Sequence, residues 1–167
     1  MNLHISEAAY LWIFAIVFVM HLTEEFLGGT LSDDPDKLRG FDLSRRGFLK
    51  TNMVGVIVMI FLNLLALRMG FPQFLLASFG TLVLLNAARH AIKSIKDVTY
   101  SPGLVTGVLF FLPLGATTLM RIEPTMSGLR FGSAMATGLS LQIGASLVAH
   151  RGRQFFRLLK PESETRR

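Results

Sequence analysis

The apolar run at residues 8–20 carries no charge, and it leads directly into His21-Leu22-Thr23-Glu24-Glu25. A helix needs about 20 residues, at about 1.5 Å each, to cross the hydrocarbon of a bilayer. The uncharged run is too short to do this alone. A spanning helix here continues through His21, Glu24 and Glu25 to Leu27. An imidazole and two carboxylates then stand at or inside the hydrocarbon boundary. Insertion scales charge roughly 2.5–3.5 kcal/mol for a central Asp, Lys or Arg. Groups at that depth require partners, and a bound metal ion is one.

The remainder of the chain also reads as membrane protein. Hydrophobic residues make up 51% of the 167 positions, mean hydropathy is +0.49, and Asp, Glu, Lys and Arg together reach only 17%. The apolar residues come in blocks separated by short polar stretches. The blocks fall at residues 8–27, 53–69, 72–95, then from the turn Ser101-Pro102-Gly103 to about Met120, and 127–150. The expected fold is an all-α polytopic transmembrane bundle of five helices. It forms a single membrane domain over residues 1–167, with a basic tail at 151–167. Neither a basic region before the first block nor an Ala-x-Ala cleavage site after it is found. The block is therefore expected to persist as a helix rather than be removed as a signal peptide. The segment 28–50 is the one long loop, with a turn or helix start at Ser32-Asp33-Asp34-Pro35. Small residues such as Gly132, Ala136 and Gly144 suit the fifth block to close helix contact in lipid.

The absence of cysteine excludes disulfides, thiolate metal sites and a cysteine nucleophile. A net charge of +6 does not imply nucleic acid, because basic loops in a membrane protein report orientation and anionic headgroups. With five spans, all but three of the 17 Lys and Arg residues lie in the first loop, the third loop and the C-terminal tail. The exceptions are Arg68, Arg121 and Arg130. This bias orients the N-terminus outside and the C-terminus in the cytoplasm. Four or six helices would destroy the asymmetry.

That topology gathers the chemistry at one depth. His21, Glu24 and Glu25 come at the cytoplasmic end of the first helix, and Asn86 and His90 near the same end of the third. Tyr100 lies at the entry to the fourth helix and His150 at the exit of the fifth. Positions i, i+3 and i+4 share a helix face. His21 therefore pairs with Glu24 and Glu25, Asn86 with His90, and Gln142 with Ser146 and His150. Inward-facing carboxylates and imidazoles are how helical bundles build metal sites. Mixed nitrogen and oxygen donors suit zinc, iron or manganese. The expected metal ligands are His21, Glu24, Glu25 and His90, with Asn86 as a further ligand or supporting partner. Glu24, Glu25 and Tyr100 are the catalytic candidates, and Tyr100 is a hydrogen-bond donor for substrate. Against this stands the plain alternative that such residues are wetted by headgroups and water.

Three stretches carry a resemblance: His21-Leu22-Thr23-Glu24-Glu25, Asn86-Ala87-Ala88-Arg89-His90 and Tyr100-Ser101-Pro102-Gly103. In this order they resemble the HXXEE-domain family of bacterial membrane proteins, with its Asn-x-x-x-His and Tyr-x-Pro-Gly elements. The resemblance implies a small polytopic protein of the inner membrane and brings no settled reaction. His150 and Gln142 lie outside its motifs.

The expected function is that of an integral membrane protein with a zinc or iron site near the cytoplasmic face. Whether it is an enzyme is left open; if it is one, it is a metal-dependent hydrolase or oxidoreductase acting on a lipophilic substrate that enters from membrane lipid. Alternatives are an ion, proton or small-molecule transport component acting as an oligomer, a haem-binding subunit using two of His21, His90 and His150, and a non-catalytic membrane partner. The orientation can be tested directly. Reporter fusions after Arg167 and within the 28–50 loop should both report cytoplasm. Opposite sides for the two fusions would end the five-helix arrangement.

Overall fold

The computed structural model describes residues 6–29 and 45–158, with side chains placed as far as residue 148. Among the described residues five helices follow one another: α1 (Glu7–Gly29), α2 (Arg45–Met69), α3 (Pro72–Asp97), α4 (Leu104–Thr125) and α5 (Gly128–Leu158). No strand occurs among the described residues. Each helix is long and apolar enough to cross a membrane. The chain is an all-α polytopic transmembrane bundle.

Local chemistry sets the helix ends. The Ser6 hydroxyl accepts from the Ala9 amide at 3.2 Å, and Glu7 lies in the first turn of α1, where the helix dipole favours an anion. Gly70, at φ +75°, makes the tight corner between α2 and α3. Pro72 then opens α3, where its missing N–H costs nothing. α4 contains one π-helical turn at Gly107–Phe111. Two ends differ from the expectation. α2 begins at Arg45, eight residues before its apolar block, and α4 runs on past Met120 to Thr125. Hydropathy marks where a helix meets lipid, whereas hydrogen bonding continues into the basic headgroup layer, where long cationic side chains reach water. The Ser32-Asp33-Asp34-Pro35 turn, His4 and the His150 side chain lie outside the described residues, as does the tail beyond Leu158.

α3 is the hub. Of its membrane window 61% is buried, against 33% or less for each of the other four helices. It packs on all four. Its buried face is built from small residues, Ala77, Ser78, Gly80, Thr81 and Ala87, which let neighbouring backbones come close. A Cβ on Gly138 of α5 would stand 2.3 Å from the Ser78 carbonyl oxygen, and one on Gly115 of α4 would stand 2.8 Å from that of Gly80. Phe14 of α1 meets Phe79 of α3 with ring centroids 6.0 Å apart. α2, by contrast, turns Met53, Val54, Ile57, Phe61 and Leu64 outward. Such a face is costly in water and neutral in lipid.

Gly138→Ala should therefore weaken the bundle, by roughly 1–3 kcal/mol for an overpacked contact. Gly132→Ala and Gly144→Ala meet open space and should be tolerated. Thermal unfolding of the three variants in one detergent would compare them. Equal midpoints would mean that α5 does not seat on α3 through Gly138.

Candidate metal centre

The structure brings His21, Glu25 and His90 into one buried group, with a ligand atom from each lying within 4.8 Å of the others. His21 and Glu25 are one turn apart on α1, and their side chains approach at 3.6 Å. His90 comes from α3, its Nε2 3.1 Å from the Glu25 carboxylate. The imidazoles meet edge to face with centroids 5.1 Å apart, and Phe111 lies 4.3 Å from the His21 ring centroid.

Glu24 is placed differently. Its side chain turns to the start of α4 and accepts five hydrogen bonds there. Oε1 receives Tyr100 O–H, the Gly103 amide at 3.1 Å and the Val105 amide at 3.0 Å. Oε2 receives the Thr106 amide at 2.7 Å and the Thr106 hydroxyl. A carboxylate has about four lone-pair sites, so this one is saturated. It serves α4 as an anionic N-terminal cap supplied by another helix, where free amides and the dipole both favour it. Tyr100, expected as a hydrogen-bond donor for substrate, directs its O–H to Glu24 in this structure. In the motif His-x-x-Glu-Glu the adjacent carboxylates thus divide the work: Glu25 enters the metal-type group and Glu24 ties α1 to α4.

The tie reaches the imidazole. Thr106 has one hydroxyl proton, and Glu24 takes it. His21 Nδ1, 2.7 Å from the Thr106 oxygen, must then be the donor. The lone pair of His21 falls on Nε2, which faces Glu25 and lies 3.4 Å from the Asn86 amide nitrogen. For His90, Nδ1 pairs with the Ser101 hydroxyl at 3.1 Å. Its Nε2 lies between Arg89 Nη2 at 3.0 Å, which can only donate, and the Glu25 carboxylate at 3.1 Å, which can only accept. Both imidazoles thus present Nε2 to Glu25 while a hydroxyl holds Nδ1 from behind. Metal-binding histidines are oriented in this way.

Gly103 makes the approach possible. It has φ +95°, and a Cβ there would lie 2.7 Å from the His21 ring and 2.8 Å from that of His90. Asn86 accepts from Arg89 through its side-chain oxygen at 3.2 Å while its amide faces His21, so it supports the group from the side. Arg89, one third exposed, also stands 3.6 Å from Glu25. One guanidinium nitrogen is thus shared among Asn86, His90 and Glu25.

A cavity of about 310 Å³ opens beside the group. It is lined by the polar side chains of Glu25, Asn86, Arg89 and Gln142 and by the apolar ones of Phe18, Leu22, Phe48 and Val54. Gln142 and Ser146 face this cavity, 3.4 Å from one another, and are not part of the His–Glu–His group. Sequence reasoning missed Thr106 as a functional position. Only its contact with His21 and Glu24 identifies it.

A family model described as a protein of unknown function with an HXXEE motif matches residues 12–118. That interval contains all three ligand candidates, Glu24, Tyr100, Gly103 and Thr106. No curated protein and no solved structure matches the chain.

The Glu24 tie can be followed through Tyr100. Burial, with the Glu24 carboxylate adding to it, pushes the Tyr100 phenol up to about 12, against about 10 ordinarily. The fold therefore favours the protonated phenol. The resulting stabilisation is complete below about pH 10 and is lost as pH climbs toward 12. In a Tyr10→Phe background, ultraviolet phenolate absorbance should rise late, and Glu24→Gln should move that rise to lower pH. An unchanged titration would mean that Tyr100 and Glu24 are not paired.

Proposed function

This chain belongs to the HXXEE family, and from that premise we propose that it is a metal-dependent membrane enzyme acting on a lipophilic substrate. His21, Glu25 and His90 hold the ion in this reading. One observation carries it: His21 Nε2, His90 Nε2 and the Glu25 carboxylate converge, and both Nδ1 atoms are held from the outer side by the Thr106 and Ser101 hydroxyls. Metal–ligand bonds of about 2.0–2.1 Å set tetrahedral donors roughly 3.3–3.5 Å apart. Glu25 lies 3.1 and 3.6 Å from the two histidines, which brackets that spacing. A carboxylate flanked by two imidazoles in a buried site favours positive charge beside it. The one Arg89 nitrogen, shared among three acceptors, supplies it incompletely.

Two imidazoles and a carboxylate form the donor set of catalytic zinc and of non-haem iron, each of which keeps coordination positions open. Zinc would supply an activated water for hydrolysis, and iron would supply oxygen chemistry. The protein's own contribution is orientation. Thr106 and Ser101 fix the imidazole faces, Asn86 buttresses His21, and Gly103 closes the layer from behind. The substrate enters from the cavity beside Glu25, whose lining is partly apolar. The distribution of Lys and Arg supports placing this layer toward the cytoplasmic face. A haem reading is less well supported, since the two rings converge on one carboxylate oxygen and leave no slot for a macrocycle.

Metal analysis of protein purified without chelators tests the proposal. Wild type should carry zinc or iron in about equimolar amount. His21→Ala, Glu25→Ala and His90→Ala should each empty the site while helical content persists, because insertion depends on the apolar blocks. Thr106→Val should retain the ligands and weaken affinity by about 10–100-fold through loss of orientation. His150→Ala should leave the metal in place. A folded, metal-free wild type would instead favour the transport or docking alternatives.

A further inference from the structure

The lining of the cavity beside Glu25 is of two kinds. Phe18 and Leu22 of α1 with Phe48 and Val54 of α2 make an apolar part. α2 and α5 both line it, and among the described residues they do not pack closely against each other. The rest of the lining is largely polar, and two of its donors have no acceptor among the described residues. The Arg89 Nε–H is buried and unpaired, although Nη2 of the same guanidinium is engaged, and the Thr51 hydroxyl is buried and unpaired as well. Both residues line the cavity. Gln142 adds an amide whose one contact, to Ser146, is a long 3.4 Å. A second gap of about 330 Å³ is also lined by Arg89, Gln142 and Ser146, so these side chains have room to adjust.

Buried donors without acceptors are costly and mark the place of a missing partner. The guanidinium is permanently cationic and presents a flat fork suited to carboxylate or phosphate. We propose that this cavity binds an amphiphilic anion, with an acidic head, carboxylate or phosphate, on Arg89 and Thr51 and an alkyl chain along Phe18, Leu22, Phe48 and Val54. The proposal rests on the enzyme reading above in one respect. A dication held by Glu25 leaves the polar part of the cavity net positive, and low dielectric then demands an anion. The volume lies near the lower end of small-molecule sites, about 300–1,000 Å³. That suits one chain rather than a two-chain lipid.

Displacement of a fluorescent polyene fatty acid from purified protein in neutral detergent gives the test. Dodecanoate and dodecyl phosphate should both displace it, and their ratio tells which acidic head is preferred. Dodecanol, with the same chain and no charge, should be weaker by at least about tenfold, the scale of a charge-assisted hydrogen bond. Acetate and inorganic phosphate, heads without a chain, should not compete. Arg89→Gln should weaken dodecanoate by a similar factor and retain the metal. Gly55→Phe is the independent check: a side chain there meets open space within the cavity lining, so the fold should hold while binding is lost. Equal affinity for dodecanol, or dodecanoate binding that survives both variants, overturns the proposal. Arg89-dependent binding by a chain that never carries metal would sustain it and remove the enzyme reading instead.

Discussion

An ionised carboxylate at the edge of hydrocarbon has few ways to remain charged. Glu24 remains so by collecting the free amides and hydroxyls at the start of α4. The rest of the polar layer depends on that contact. It fixes the height of α4 against α1, and with it the positions of Ser101, Gly103 and Thr106. Those residues in turn hold both imidazoles from behind, so that the remaining ring nitrogens face Glu25. Without the cap, α4 would begin with open amides in a region where water is scarce, and the imidazoles would lose the partners that orient them.

The membrane bundle was legible from hydropathy because lipid enforces it. Backbone groups in hydrocarbon must pair within a helix, so five apolar blocks become five helices. The sequence reading erred where lipid no longer governs. Arg45 and Arg46 precede the apolar block yet lie inside α2, since water at a helix end does not unwind a helix whose cationic side chains can reach it. That α3 is central was not read from the blocks. Ala77, Ser78 and Gly80 carry the information, but only their close contacts with Gly138 and Gly115 reveal which neighbours they admit.

For the polar layer, spacing placed His21 on one face with both glutamates and could not choose between them. The choice is made by α4, eighty residues away in sequence, whose amide-rich start draws Glu24 away and leaves Glu25 beside His90. Helical periodicity contains no term for such a contact. Tyr100 was seen as a hydroxyl at the right depth, but depth did not show that its O–H is directed to Glu24. Thr106 carried no signal, being one threonine at the start of an apolar block. Gly103 was read as turn chemistry, and its positive φ agrees. Its missing Cβ matters as much, because two imidazoles occupy that space.

The π-helical turn at Gly107–Phe111 gives α4 two independent settings. Its first residues answer to Glu24 and His21, while its later residues answer to Gly80 and the hub. A regular helix would lock these into one rotational phase, so that a change in how α4 seats on α3 would swing Thr106 off the imidazole. The wider turn takes up the mismatch as a vernier does. A shift in how the later turns seat on α3 can then be absorbed before it reaches the residue that orients the histidine.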